Sequence, residues 1–170
     1  MRARNRDWLT PWEATPPRDL GPSIGFATMV RGLRGQARRG QLLPFVVAYD
    51  GELAGQLTVG GIAYGSLCSA HIGYWVDSRV AGRGVMPTAL ALAVDHCFLV
   101  LRLHRVEVNI RPENTASLRV VEKLGFREEG LRRAFLHISG EWRDHRAFAL
   151  TSEEVPGGLL ARWHSTRPAD

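Results

Sequence analysis

A short glycine-rich segment, RVAGRGV at residues 79–85, constrains this chain more than any other feature. The residues before it alternate between apolar and polar and predict a strand from about residue 67 to 76. After it, apolar residues recur every three or four positions from Met86 to Leu101, which predicts a helix. Glycines at such a junction let backbone N–H groups approach an anion, and the helix dipole favours negative charge there. The segment therefore predicts an anion site that would fit a pyrophosphate.

The spacing of these glycines leaves a second interpretation open, because a glycine-rich turn from strand to helix is often only a tight connection. The segment is not a nucleoside-triphosphate loop, since no Gly-Lys-Ser or Gly-Lys-Thr follows. It is not a dinucleotide fingerprint either, because the strands predicted before it are antiparallel. The glycine loop alone therefore predicts a place for an anion but no particular ligand.

The periodicity of the whole chain predicts a single domain over residues 1–170. It divides into an N-terminal helical region at 1–44, a core at 45–151 and a polar tail at 152–170. In the first region one helix is predicted from apolar residues at near-helical spacing, namely Ile24, Met29, Leu33 and Ala37. The tail is interrupted by Pro and Gly and could end in a short helix.

Within the core, alternating residues bounded by turn formers predict strands at 45–49, 52–63, 67–76, 105–110, 131–138 and 141–150. Turns of the hairpin type are predicted at Asp50-Gly51 and Ser139-Gly140. A further helix is predicted to begin at the N-cap Asn114 and to end at Gly125. The order is helix, three antiparallel strands, helix, strand, helix and hairpin. It predicts an α/β fold with a mixed sheet.

The composition narrows the class of protein. With 45% hydrophobic and 23% charged residues, the chain fits one globular domain. No run approaches the roughly 18 apolar residues that span a bilayer, and residues 1–7 lead into no apolar signal segment. We therefore expect a cytoplasmic protein without membrane contact. Cys68 and Cys97 lack C-x-x-C spacing, so neither a disulfide nor a metal site is expected.

The charge balance bears on partners. The 22 Lys and Arg against 17 Asp and Glu give a formal charge of +5, which favours anions such as nucleic acid or cofactor phosphates. The basic residues are spread along the chain and are densest at residues 31–39, where no aromatic residues alternate with them to stack on bases. A solvated basic helix face explains this segment better, so we expect no direct nucleic-acid binding.

A second informative segment, LHRVEVNIRPENTASLRVVEKLGF, occupies residues 103–126 and joins an N-x-x-S sequence to an E-K-L-G-F helix end. Together with the glycine loop it resembles the acyl-CoA core of the GNAT acetyltransferases. Within that superfamily the chain is similar to the RimJ/RimL-like ribosomal-protein-alanine N-acetyltransferases. Four motifs carry this likeness, IGYW at 72–75, HR at 104–105, REEG at 127–130 and GEWRDH at 140–145. The resemblance covers roughly residues 45–150.

The resemblance implies a mostly antiparallel central sheet flanked by helices, with acetyl-CoA as the acetyl donor and no metal. In this family the strands ending at Val76 and Ile110 would splay apart to receive the pantetheine arm. Backbone N–H groups around Trp75 and Val76 would hold that arm and polarise the thioester carbonyl. The residues expected to hold the pyrophosphate are Gly82, Arg83, Gly84, Val85 and Met86.

Proton transfer is less clear from the sequence. Many relatives carry a Glu five residues before the motif Asn114 and a Tyr seven residues after it, as base and acid, where this chain has Asn109 and Val121. Asn109 could order a water that relays the proton, and Glu107 on the same strand face is the nearest carboxylate, although a solvent-facing position explains it equally well. Ser117 could donate to the leaving thiolate or merely support the Asn114 cap. Asn114 caps the helix whether or not it also contacts the cofactor.

The acceptor is predicted from the same lack of a strong base. An α-amino group has an unperturbed pKa of about 8, against about 10.4 for a lysine amine, so it needs less help. This favours the N-terminal amine of a protein, and the resemblance points to ribosomal proteins. Asp144 could receive the ammonium, Trp142 could flank the groove together with the N-terminal region, and His71 could assist. The alternatives are that Asp144 binds a backbone group and that His71 has only a structural role.

Two rival functions stay open. One is acetylation of a small-molecule amine, such as a polyamine or an antibiotic, and the other is a non-catalytic acyl-CoA-binding or nucleic-acid-binding module. Family members usually begin with a strand that this sequence lacks, so we expect an exposed sheet edge at the strand 45–49 or at its neighbour. Because such an edge can pair with a second copy, monomer and homodimer are both left open.

Overall fold

The structure, a computed structural model, describes residues 1–18 and 25–166, so Ile24 lies outside the described part. Helical turns at the start of the chain precede the longer elements. The helices and strands, in chain order, are α1 Arg6–Leu9, α2 Phe26–Arg38, β1 Leu42–Tyr49, β2 Glu52–Ala63, β3 Ser69–Val76, α3 Val85–Asp95, β4 Arg105–Ile110, α4 Thr115–Lys123, β5 Arg127–Ile138, β6 Glu141–Thr151 and α5 Leu159–Ser165. In the described residues no helix is both long and apolar enough to cross a bilayer.

The strands form one six-stranded sheet in the order β1-β2-β3-β4-β6-β5. Only β3 and β4 pair in parallel, and the other neighbours are antiparallel. The predicted mixed, mostly antiparallel sheet is therefore confirmed. β1 lies at one edge, as expected, and exposes Phe45 and Val46.

The pairing between β3 and β4 is short and leaves an opening in the sheet. Only three residue pairs join the two strands, and the last of them is His71 with Glu107. Beyond this point β3 continues to Val76 and β4 continues to Ile110 without pairing to each other. The predicted splaying of the two strands is confirmed, and it leaves free backbone groups along both strand ends.

Alternation along β4 shows why the sheet has one strongly apolar face. Val106, Val108 and Ile110 are buried, whereas the residues between them are only partly covered. The buried set belongs to one core with Leu90 and Val94 of α3, a helix that is apolar on nearly every side. Burial of this helix holds its N-terminus, and hence the glycine loop, at a fixed place beside the sheet.

The C-terminal tail packs onto the same apolar core. Asp95, at the end of α3, accepts the backbone N–H groups of Leu159 at 2.6 Å and of Leu160 at 3.0 Å, so it caps the start of α5. Trp163 of α5 is buried, and its indole N–H donates to Thr88 at 2.9 Å. The short helix predicted in the tail is thus confirmed.

Element boundaries differ from the prediction in several places, among them the start of β1, which lies at Leu42 rather than at Phe45. The helix expected to run to Leu101 changes at Asp95 into a turn of π-helix over His96–Val100. β5 begins at Arg127 rather than at Leu131, and two bulges interrupt its pairing with β6. Residues 2–12 form helical turns, whereas the sequence indicated only a loose lead-in. The periodicity of apolar residues cannot resolve such local hydrogen-bonding choices.

Candidate active site

A cleft of about 1200 Å³ opens where β3 parts from β4. Its walls come mainly from the N-terminal turns, the end of β3 from Gly73 to Val76, the loop into α3, and α4 with the two residues before it, and Gln56 and Thr58 of β2 complete them. We call the part lined by the end of β3, the glycine loop and α4 the donor side, and the part lined by residues 2–14 the acceptor wall.

The glycine loop has the geometry of an anion site. Gly82 and Gly84 have φ values of +81° and +80°, which favour glycine over any residue with a side chain. Gly84 is the N-cap of α3, and no side chain caps this end of the helix. The N–H groups of Val85 and Met86 at the helix start are therefore available to a bound anion. Arg83 instead lines a second groove beside β1 and is not among the residues that line this cleft.

The free edge of β3 determines which backbone groups face the cleft. The N–H of Asp77 donates to Ala54 of β2 at 2.7 Å, and backbone groups alternate in direction along a strand. Trp75 therefore directs its N–H toward β2, whereas Tyr74 and Val76 direct theirs toward the opening. The Val76 carbonyl accepts a hydrogen bond from the indole of Trp8 at 3.1 Å. Of the two backbone donors expected from the resemblance, only that of Val76 faces the cleft.

Trp75 reaches the cleft through its side chain. The guanidinium of Arg2 lies 5.3 Å from the centre of its ring. The indole nitrogen of Trp75 is buried and has no hydrogen-bond partner among the described residues. A buried donor of this kind is available to a polar group inside the cleft.

The start of α4 brings two predicted residues to the donor side. The side chain of Asn114 accepts the backbone N–H of Ser117 at 3.0 Å, which confirms Asn114 as the N-cap. Both residues line the cleft. The hydroxyl of Tyr74 donates to the Ser117 carbonyl at 3.4 Å, and burial raises the pKa of this phenol far above its usual value. Tyr74 therefore stays protonated and helps to hold the α4 terminus against β3.

The two candidates for proton transfer occupy different environments. Glu107 lies at the closed end of the opening and binds Arg105 at 2.9 Å and Arg132 at 2.6 Å. Neither Glu107 nor Asn109 is among the residues that line the cleft. Asn109 lies two residues further along β4, toward the open end, and its side-chain oxygen is buried without a partner among the described residues. An unpaired buried acceptor is costly, so this oxygen is the polar group of β4 that is best placed to receive a donor.

The residues predicted for acceptor binding lie elsewhere. The Asp144 carboxylate accepts the backbone N–H of Ala134 at 2.7 Å, where Ala134 has a φ of +47° in a bulge of β5. Trp142 is exposed and packs edge-on against His137. The ring of His71 lies over Gly61 of β2. None of the three predicted residues is among the described residues of the cleft, and the local backbone contacts explain their positions.

Several residues of the acceptor wall were not predicted. Asp7, Trp8, Trp12 and Glu13 all line the cleft. Glu13 pairs with Arg2 at 2.7 Å, whereas Asp7 forms no ion pair with a described residue. The signal that could have revealed them is the sequence WLTPWE at residues 8–13, in which two tryptophans and a carboxylate lie close together outside any core strand.

The far end of the acceptor wall is attached to the sheet. Thr15 donates its backbone N–H to His137 at 2.9 Å, next to a bridge between Ala14 and Ile138. Arg111, which follows β4, donates to the Pro11 carbonyl at 2.6 Å. These contacts join the acceptor wall to β5 and to the residue that follows β4. In the described part of the chain, no three His, Cys, Asp or Glu side chains are grouped to hold a metal.

Comparison with known proteins identifies the family. The acetyltransferase (GNAT) domain family matches residues 3–127. The chain belongs to the GNAT acetyltransferase family. The structure of Mycobacterium smegmatis RimJ, solved in complex with CoA-disulfide, has 43% sequence identity and a TM-score of 0.90. The similarity covers 96% of this chain and 80% of that one. This GNAT chain thus shares its fold with a RimJ protein over nearly its whole described length.

Curated relatives give the same family. The [ribosomal protein uS5]-alanine N-acetyltransferase of Escherichia coli is 31% identical over 161 residues, 91% of this chain and 81% of that protein. The probable N-acetyltransferase YjcK of Bacillus subtilis is 40% identical over 107 residues, 63% of this chain, and the match spans only 59% of its length. The spermidine N(1)-acetyltransferase of E. coli is 31% identical over 100 residues, 59% of this chain and 53% of that protein.

Proposed function

We propose that this GNAT chain transfers an acetyl group from acetyl-CoA to the N-terminal α-amine of a protein, with ribosomal proteins as the candidate class. The observation that carries the proposal is the extent of similarity. In sequence, the match to the E. coli uS5-alanine N-acetyltransferase covers 91% of the chain, whereas the match to the spermidine enzyme covers 59%. Ribosomal proteins are made in the cytoplasm, so we also place the activity there.

The donor side fits a CoA thioester, which supplies the activated acetyl group when bound. Gly82 and Gly84 leave the α3 terminus accessible to a pyrophosphate, and the N–H groups of Val85 and Met86 point from that terminus. Arg79 is largely exposed beside the loop and adds positive charge. The unpaired edge of β3 offers the Val76 N–H to the acyl end of the donor.

Two groups of the chain can stabilise charge that develops during transfer. The Val76 N–H can donate to the carbonyl oxygen as it becomes an oxyanion, because it faces the opening from a strand held by β2. The Ser117 hydroxyl can donate to the sulfur that leaves as a thiolate. The dipole of α4 favours the same charge, and Tyr74 holds that helix terminus in place.

The acceptor needs only modest help to lose its proton. Because an α-amine has a pKa of about 8, a useful fraction is already neutral at slightly alkaline pH. The Asn109 oxygen, which has no partner among the described residues, lies outside the cleft lining and can act through a water that accepts from the amine and donates to Asn109. Asp7, which lines the cleft and forms no ion pair with a described residue, can attract the incoming ammonium. Glu107 is a weaker candidate as base because two arginines already hold its carboxylate.

A polyamine is the second candidate acceptor, since Asp7, Glu13 and Glu113 give the cleft three carboxylates. Two of these are paired with arginines, Glu13 with Arg2 and Glu113 with Arg111. A linear polycation would need several free carboxylates, whereas one N-terminal ammonium needs a single one. The pairing therefore favours the protein N-terminus.

The proposal is tested by incubating the purified chain with acetyl-CoA and ribosomal proteins, with spermidine in a parallel reaction. Mass spectrometry then locates the new acetyl groups. We expect them on the α-amine of one or a few proteins, with slower turnover of spermidine. Acetylation of spermidine alone would move the assignment to the polyamine class.

A further inference from the structure

A buried carboxylate connects the end of β3 to the N-terminal turns. Asp77 follows β3 directly, and its side chain is 1% exposed. It accepts hydrogen bonds from Arg4 Nε at 3.0 Å, from the Arg79 backbone at 3.1 Å and from the Arg79 guanidinium at 3.2 Å. The bond to Arg4 is the main reason that the pKa of Asp77 lies far below its usual range. The carboxylate is therefore charged at every ordinary pH and depends on these partners.

The neighbours of Asp77 bind the same N-terminal turns. The buried side chain of Asn5 accepts from the Ser78 backbone at 3.0 Å and from the Ser78 hydroxyl at 2.9 Å. Trp8 donates to the Val76 carbonyl at 3.1 Å. Three consecutive residues at the end of β3 thus each contact the N-terminal turns, more than sixty residues away in the chain. Such a set of contacts fixes position better than one surface ion pair does.

These contacts lie between the two sides of the cleft. On one side the chain continues from Ser78 into the glycine loop. On the other side Asp7, which belongs to the acceptor wall, lies in the sequence between Asn5 and Trp8, and both of these residues bind the end of β3. Arg4 is itself 46% exposed, so it pairs with Asp77 from the surface and is not part of the core. The position of Asp7 relative to the donor side therefore depends on this junction.

We infer that Asp77, together with Arg4 and Asn5, is a positioning latch that sets the place of the acceptor wall without contacting the donor. The latch acts through Asp7 and Trp8, which line the cleft. Loss of the Arg4 to Asp77 pair leaves the glycine loop on α3 and frees residues 2–9 to move. The acceptor then binds less tightly while the donor binds as before. The kinetic part of this inference rests on the proposed function.

The variants are Asp77→Asn, which keeps shape and removes charge, and Arg4→Gln, which removes the partner. We expect either change to raise KM for an N-terminal peptide about fivefold or more. Arg4→Gln leaves the bonds between Asp77 and Arg79 in place and should keep kcat and the Kd of CoA within about twofold of the parent. The double variant should be no worse than the poorer single one, because both remove one interaction. Arg4→Lys should restore part of the loss. The control is Arg146→Gln, which removes an arginine of comparable exposure from its ion pair with Glu128 on the far hairpin and should leave KM unchanged.

Hydrogen exchange measures the latch without any acceptor. Amides of residues 2–9 should exchange faster in Arg4→Gln than in the parent, with the core of α3 unchanged. Because Arg4 is partly exposed, this variant folds even where Asp77→Asn does not. Equal exchange in the parent and the variant overturns the latch, and so does a Kd of CoA that rises as much as the peptide KM. If the parent acetylates no peptide, the proposed function fails while the exchange result still decides the latch.

Discussion

The two sides of the cleft are built in different ways. The donor side comes from short stretches of chain, chiefly Gly73–Met86 and the capped start of α4, and its chemistry depends on glycine conformation and helix termini. The acceptor wall comes from residues 2–14 and is held by contacts to residues 76–78, 111 and 137–138. Local chemistry thus forms one side, and long-range docking forms the other. The difference predicts that changes on the two sides affect different kinetic constants.

The largest expected effect lies on the donor side. Gly84→Val should weaken CoA binding at least tenfold, or about 1.4 kcal/mol, because a β-branched residue resists the φ of +80° at the α3 N-cap. Calorimetry with CoA measures the change. Gly65→Val is the matched control, since Gly65 has a φ of +74° in a turn outside the cleft. A folded Gly84→Val protein with parental affinity would remove the loop from the donor site.

Ser117→Ala is expected to lower kcat by about tenfold with little change in KM for acetyl-CoA. A hydrogen bond to the leaving thiolate acts mainly in the transition state, so its loss appears in turnover. Steady-state kinetics at saturating donor gives the two constants. Ser117→Thr keeps the hydroxyl and should retain most of the rate. Parental turnover in Ser117→Ala would leave the residue with only its part in the Asn114 cap.

The same contrast between local and long-range contacts explains which features could be predicted from the sequence. The mixed sheet, the glycine loop, the Asn114 cap and the parting of β3 from β4 follow local patterns or a family motif, and the structure has all of them. The register that turns the Trp75 N–H toward β2 could not be predicted, because a motif names residues but not the direction of their backbone groups. Asp144 was expected at the acceptor, yet a bulged residue of β5 uses its carboxylate.

The residues of the acceptor wall could not be predicted from the sequence for a different reason. Asp7 and Trp8 reach the cleft only because distant residues hold the N-terminal turns, and the ion pair of Arg4 with Asp77 joins residues 73 positions apart in the sequence. Nothing in the spacing of residues 2–14 indicates that docking. Composition and periodicity report which residues avoid water, whereas contacts between polar residues far apart in the chain depend on the finished fold.

A smaller effect should distinguish the role of the Asp7 carboxylate from that of the Asp144 carboxylate. Asp7→Asn is expected to raise KM for an N-terminal peptide about threefold, since an exposed charge pair contributes up to about 1 kcal/mol. Asp144→Asn should leave that KM unchanged, because its carboxylate binds the Ala134 backbone outside the cleft. Parallel kinetics on one peptide compares them. An effect of Asp144→Asn as large as that of Asp7→Asn would return the hairpin to the acceptor site.

The smallest expected effect concerns pH and the latch. The pKa of Asp77 is lowered in the folded chain, so its contribution to stability is complete above about pH 4, the range of an unperturbed Asp, and is lost as pH falls toward the folded pKa. The free energy of unfolding of Asp77→Asn should therefore lie below that of the parent at pH 7. The gap should narrow at pH 3. Urea titrations at both pH values measure it, and a gap that widens in acid would contradict the ion pair.

Specificity for an α-amine tests the central claim most directly. The measurement is kcat/KM for a short peptide that begins with a free Ala, compared with the same peptide carrying a blocked N-terminus and an added lysine. We predict acetylation of the free N-terminus at least tenfold faster, because an α-amine, with a pKa of about 8, needs a weaker base than a lysine amine, and Asp7 is a cleft carboxylate that forms no ion pair with a described residue. Equal or faster acetylation of the blocked peptide would contradict the assignment of this chain as an N-terminal acetyltransferase.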